Sequence, residues 1–175
     1  MESKVKALGH PVHPMLVVFP LGLFATSLVF DLICAAGGGA SFSRAAFYMI
    51  AAGILGGLAA ALFGGVDWLA IPKGSRAKRV GALHGIANVV VVALFIGSWG
   101  VRYADPDAQT APAVVLSAIG VLLSVASGWL GGELVDRLAI GVDDGAHADA
   151  PSSLSGKPAS ERHAEDRPLI PRRVT

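Results

Sequence analysis

Four long apolar runs, separated by short polar breaks, set the pattern of this chain. They cover about residues 14–36, 43–69, 81–101 and 112–131. Each is about 20 residues or longer, the length an α-helix needs to cross a bilayer core. Pro14 suits the first turn of the first helix, where a missing N–H is no loss, and Pro20 further in predicts a bend. Gly37-Gly38-Gly39 ends this helix, and Pro72 with Gly74 ends the second. Gly53 and Gly57 stand one turn apart in the second run, and Gly120, Ser124 and Gly128 recur every fourth residue in the last. Small residues at that spacing let helix backbones approach closely. Trp68, Trp99, Tyr103 and Trp129 fall near the ends of the runs, as interfacial aromatics do.

The pattern predicts an all-α integral membrane protein, a four-transmembrane-helix up-down bundle over residues 1–142 whose short loops keep sequential helices antiparallel. From Asp143 onward the chain turns to Pro, Ser, Asp and Arg. Such a stretch buries too little apolar surface to offset its ordering entropy, so residues 143–175 read as a disordered cytoplasmic tail. His147 and His163 there read as solvated.

Composition agrees. The chain is 53% hydrophobic and 15% charged, against about 25% charged in soluble domains. Its net charge of +1 supplies no global field for nucleic acid. The single cysteine, Cys34, excludes an intrachain disulfide. Met15–Ala36 has spanning length, longer than the roughly 7–15 apolar residues of a signal peptide, and reads as a retained helix.

Charge then orients the bundle. Lys73, Arg76, Lys78 and Arg79 lie between the second and third runs with no acidic residue among them. The positive-inside rule makes that loop cytoplasmic, and four spans then put both termini on the same side. Lys4, Lys6, Arg162, Arg167, Arg172 and Arg173 agree.

With that topology, polar residues scattered in sequence gather at one end. His10 and His13 precede the first run, Asp67 closes the second, His84 opens the third and Glu133 follows the fourth. Asn88 lies one turn above His84 on the same face. Helices one and three are diagonal, so their histidines are expected to face each other. Asp31 stands at the opposite end, with Arg44, Arg102 or Tyr103 as its partner.

Three readings stay open. In the leading one, His10, His13 and His84 bind haem b or a transition metal, with Asp67 and Glu133 as further ligands or as groups that orient the imidazoles. Such a site points to electron transfer with a redox partner. Covalently attached haem is excluded, because no Cys-x-x-Cys-His occurs. In the second, the protein is a structural or partner-binding subunit without cofactor. Asp67 then pairs with Lys73 or Arg76, and Glu133 with Arg137. In the third, Asp31 and Asn88 belong to a small proton or solute pathway in a homo-oligomer. No nucleophile elbow or phosphate loop appears, so no enzymatic reaction is assigned. The lipid bilayer is the partner common to all three.

The opening Gly9-His10-Pro11-Val12-His13-Pro14-Met15-Leu16-Val17-Val18-Phe19-Pro20 resembles the start of a bacterial membrane family known as domain of unknown function 2231. Asp67-Trp68 with Ile71-Pro72, His84 with Asn88, and Gly131-Gly132-Glu133-Leu134-Val135 with Gly141-Val142 carry the resemblance further. It spans about residues 8–142. Where a typical member has an aromatic-basic pair after Leu134-Val135, this chain has Asp136-Arg137. The resemblance implies a four-helix integral membrane protein and no established activity, and the topology read from charge is that of a bacterial inner-membrane protein with both termini cytoplasmic.

Overall fold

The computed structural model describes residues 1–161. Four helices carry the fold: α1 (Val12–Ile33), α2 (Ala40–Ala70), α3 (Arg76–Arg102) and α4 (Ala111–Gly132). A wide turn at Cys34–Gly38 prolongs α1, and another at Glu133–Arg137 prolongs α4. All four helices are long and apolar enough to cross a membrane, and the protein is a multi-pass membrane protein. A hairpin of two-residue strands, β1 (Lys6–Ala7) and β2 (His10–Pro11), precedes α1.

The triple glycine ends the first helix as its sequence implies. Gly37 has φ 97° and Gly39 φ 89°, backbone that a side chain would strain. The helices extend beyond the apolar runs that announce them. α3 begins at Arg76 because the Ser75 side chain accepts from the Lys78 N–H at 3.0 Å and caps it. Basic residues cost nothing in a helix turn that has already left the hydrocarbon, so hydropathy marks the core of the span and not its ends.

α1 packs chiefly on α2 and α3 on α4. α2 touches α3 more than α1 touches α4, and α1 and α3 lie diagonally opposed. Glycine sets the close approach inside each hairpin. A Cβ on Gly53 would come within 2.5 Å of the Phe24 ring, and one on Gly120 within 2.7 Å of the Phe95 ring. A Cβ on Gly64 would meet His13 at 2.8 Å, and one on Gly131 would meet His84 at 3.3 Å.

These pairs reveal an internal repeat. Asp31 and Arg102 are 71 residues apart, and so are His13 and His84, Phe24 and Phe95, and Ser27 and Ser98. Between α2 and α4 the constant offset is 67, relating Ala46 to Ala113, Gly53 to Gly120, Ala60 to Ser127 and Gly64 to Gly131. The bundle is one helical hairpin used twice about a pseudo-two-fold axis. Equivalent residues meet at that axis. Phe24 and Phe95 stack there with centroids 3.8 Å apart and planes 4° from parallel, and with Ile50 and Val91 they form the buried core. Leu55, Leu62, Leu122 and Val125 stay exposed on the outside, where lipid replaces water as solvent.

Residues 143–161 hold turns and one 3-10 turn, Ser153–Ser155. They lie against the N-terminal residues. The Met1 amine donates to Ala139 O at 2.9 Å, and Gly141 N–H donates to Met1 O at 2.9 Å. Lys6 bridges Glu2 and Asp143. The tail expectation for residues 162–175, including His163, Arg162, Arg167, Arg172 and Arg173, lies outside the described residues.

Candidate functional site

Pro11 is the N-cap of α1, so His13 is the second helical residue and turns into the bundle. Its Nδ1 lies 2.9 Å from Ala60 O. His84, one repeat later, has Nδ1 at 2.9 Å from Ser127 O, and Ser127 is the equivalent of Ala60. A carbonyl only accepts, so each Nδ1 carries the proton and donates. The two rings meet across the axis with centroids 6.5 Å apart and planes at 90°.

Asn88 distinguishes the two histidines. Its Nδ2 donates to His84 O at 3.0 Å and faces His84 Nε2 at 3.1 Å. The same amide nitrogen makes both contacts, so Nε2 accepts and the His84 ring is the neutral Nδ1–H tautomer. The residue equivalent to Asn88 in α1 is Val17, which donates nothing from its side chain.

The remaining members of the expected cluster go elsewhere. His10 is exposed in β2, ahead of the helix, with Nε2 3.3 Å from Ser153 Oγ. Asp67 accepts from Ser3 Oγ at 2.7 Å and from the Lys4 N–H at 2.6 Å, and not from Lys73 or Arg76. Glu133 pairs with Arg76 and not with Arg137. Among the described residues no three His, Cys, Asp or Glu side chains come together to hold a metal ion. The expectation of a single cluster of His10, His13, His84, Asp67 and Glu133 is thereby corrected to one pair, His13 with His84. Helix phase is the reason: α1 starts at Val12, which leaves His10 outside, and local donors claim both carboxylates.

The opposite end holds a buried ion pair. Arg102 Nη1 and Nη2 donate to Asp31 Oδ1 and Oδ2 at 2.6 and 2.7 Å, and both side chains are 0% exposed. Arg102 Nε also donates to Ser98 Oγ at 3.3 Å, and Ser98 bonds Ser117 and Ala113 O at 2.8 Å each. The Gln109 amide donates to Asp31 O. Of the three partners weighed for Asp31, Arg44 instead pairs with Asp107, and Tyr103 stays exposed. Ser43 Oγ, Trp99 Nε1 and Thr110 Oγ1 are buried at this end without a partner among the described residues.

Asp31 and Asn88 are not brought together. Asn88 and Arg102 are separated by about 21 Å of helix rise, and the Phe24–Phe95 stack fills the bundle between them. The signal that sequence reasoning passed over is the spacing His-x10-Phe-x2-Ser-x3 before a charge, present at His13–Asp31 and again at His84–Arg102.

The arrangement defines a class: a four-span helical-bundle membrane protein built from two like hairpins, with a histidine pair at one end of its axis and an ion pair at the other. The chain belongs to the DUF2231 family, whose model, described as "Predicted membrane protein (DUF2231)", matches residues 9–144. No curated protein and no solved structure matches the chain.

Proposed function

We propose that this membrane protein binds one haem b between His13 and His84 and passes electrons to a redox partner at the histidine end. The observation that carries the reading is the symmetric histidine pair. Two imidazoles bound to one metal at about 2.0–2.1 Å set their ring centroids roughly 6.4 Å apart, and the pair here stands at 6.5 Å. Both rings give Nδ1–H to a backbone carbonyl, the tether that fixes a ligating histidine, and on His84 the Asn88 amide at Nε2 would have to give way to the metal. The absence of a third converging ligand among the described residues favours haem over a bare ion. Zinc or copper asks the protein for three or four ligands, whereas porphyrin supplies four of its own. Gly64 and Gly131, against the two rings, provide the close approach.

The basic loop Lys73–Arg79 supports a cytoplasmic position for the histidine end and both termini, in a bacterial inner membrane. Redox partners, or further copies of the chain, would then dock from that side.

An absorption spectrum of the detergent-purified protein, oxidised and then reduced, with iron analysis on the same sample, tests this. The expected result is a Soret band that shifts on reduction, near-stoichiometric iron, and loss of both in His13→Ala and in His84→Ala. Protein from haem-replete cells with neither band nor iron leaves the second reading, a cofactor-free structural or partner-binding subunit. That reading draws its support from the internal partners already found by Asp67, Glu133 and His84.

A further inference from the structure

Where α2 turns into α3, Lys73, Arg76, Lys78 and Arg79 stand close together with no acidic residue among them. The fold answers two of these cations. Arg76 pairs with Glu133 on the extension of α4. The Lys78 ammonium donates to Trp68 O at 2.6 Å and lies 3.9 Å over the Trp68 ring. Lys73 and Arg79 are exposed, and neither has a carboxylate partner among the described residues. Arg79 Nη1 reaches only the Gly74 carbonyl, at 3.4 Å, which brings its guanidinium to the residue beside Lys73. Arg76, Lys78 and Arg79 also open α3, whose first turn holds no acidic residue. A helix N-terminus favours negative charge, so cations gathered there call for anions, and the fold supplies one, Glu133.

The depth of these cations and the surface beneath them say what kind of anion fits. The Trp68 indole donates to Lys78 O at 3.1 Å and ties the end of α2 to the start of α3. Tryptophan at the end of a span marks the headgroup level. Leu83, Ile86 and Val90 follow Arg79 along α3 at helical spacing and share its face. All three are exposed. Val90 lies about 16 Å of helix rise beneath Arg79, the depth of one leaflet of a hydrocarbon core about 30 Å thick. We propose that this corner of the bundle binds an anionic phospholipid, its headgroup held by Lys73 and Arg79 and an acyl chain lying along Leu83, Ile86 and Val90. Clusters of basic residues just outside a transmembrane helix recognise anionic headgroups by charge. The apolar stripe beneath supplies what a soluble phosphate would not use. This surface is separate from the histidine pair and independent of what that pair binds.

The test uses the full-length protein in nanodiscs of phosphatidylcholine with a minority of phosphatidylglycerol. The protein is then extracted into a non-ionic detergent, and the lipid that stays with it is identified by native mass spectrometry. Phosphatidylglycerol is expected to be retained over phosphatidylcholine, and added salt to weaken the preference. Lys73→Gln and Arg79→Gln are each expected to cut the preference about fivefold, the factor that about 1 kcal/mol per basic residue represents. Arg79→Lys is expected to keep most of it. Arg137→Gln removes an exposed cation from the extension of α4 and is expected to change it little. No preference for phosphatidylglycerol overturns the proposal. So does a preference that Lys73→Gln and Arg79→Gln leave intact, or one that Arg137→Gln lowers equally, which would be a response to net charge. Soluble glycerol phosphate that displaces the retained lipid at equal concentration would make this a phosphate site without an acyl chain and overturn the lipid assignment.

Discussion

At the residue scale, glycine decides how closely the helices meet, and position decides whether a given glycine matters. Gly53 and Gly120 are pressed against phenylalanine rings inside the hairpins, while Gly128, in the same four-residue series as Gly120, has nothing within 4 Å of where a Cβ would lie. Gly53→Ala is therefore expected to push Phe24 off the Phe95 stack and cost about 1–3 kcal/mol, the range for overpacking a filled core. Gly128→Ala is expected to be neutral or slightly stabilising, since alanine is the better helix former. Thermal unfolding of both variants in one detergent checks this, and equal melting temperatures would refute the inward placement of Gly53. The small-residue series was legible in the sequence, but which members face a neighbour and which face lipid was not. That division depends on the rotation of α4 against α3.

At the element scale, the N-terminal segment and the residues after α4 are clasped by charge. Hydrogen bonds that Lys6 donates to Asp143 and Glu2 raise its ammonium above its ordinary 10.5. The hydrogen bond from Lys6 holds the Glu2 carboxyl below its ordinary 4.5. The Glu2 contribution is present above the ordinary value and is lost as pH falls through the lowered one. The Lys6 contribution is present below 10.5 and is lost as pH rises through its raised value. The clasp is expected to hold from pH 4.5 to 10.5 and to loosen outside that window. Hydrogen exchange at the Gly141 amide, which donates to Met1 O, measures it. Protection that is flat through pH 4.5 after correction for the intrinsic rate would show that backbone bonds alone hold the segment. Sequence pattern marks residues after 142 as poor in apolar side chains, and it holds no sign that Asp143 and Asp144 lie near Lys6 and Glu2.

At the scale of the molecule, two copies of one hairpin place one ion pair where the repeat would otherwise set like against like. Asp31 and Arg102 occupy equivalent positions and are wholly buried. Removing one partner leaves an uncompensated buried charge, at a cost of about 3–5 kcal/mol. Asp31→Asn and Arg102→Gln are each expected to destabilise the fold by that much. The reversed pair, Asp31→Arg with Arg102→Asp, is expected to recover most of the loss, because the axis makes the two places interchangeable. Denaturant unfolding in mixed micelles reads the three variants. A reversed pair as unstable as the single variants would mean that Ser98 and Gln109, which serve only one orientation, outweigh the symmetry.

The sequence by itself determined the four spans, their antiparallel order, the family and the end of the bundle where the histidines gather. Hydropathy over about 20 residues is a local property, and a helix must satisfy its own backbone in lipid whatever its neighbours do. Only the tertiary structure decided which polar groups meet. It chose Arg102 over Arg44 and Tyr103 for Asp31, paired His13 with His84, left His10 outside, and gave Asp67 to Ser3 and Glu133 to Arg76. The reason is angular. Each step along a helix turns a side chain by about 100°, so the rotation of a helix about its own axis fixes which of its side chains reach the bundle axis. Runs that are apolar all round do not record that rotation.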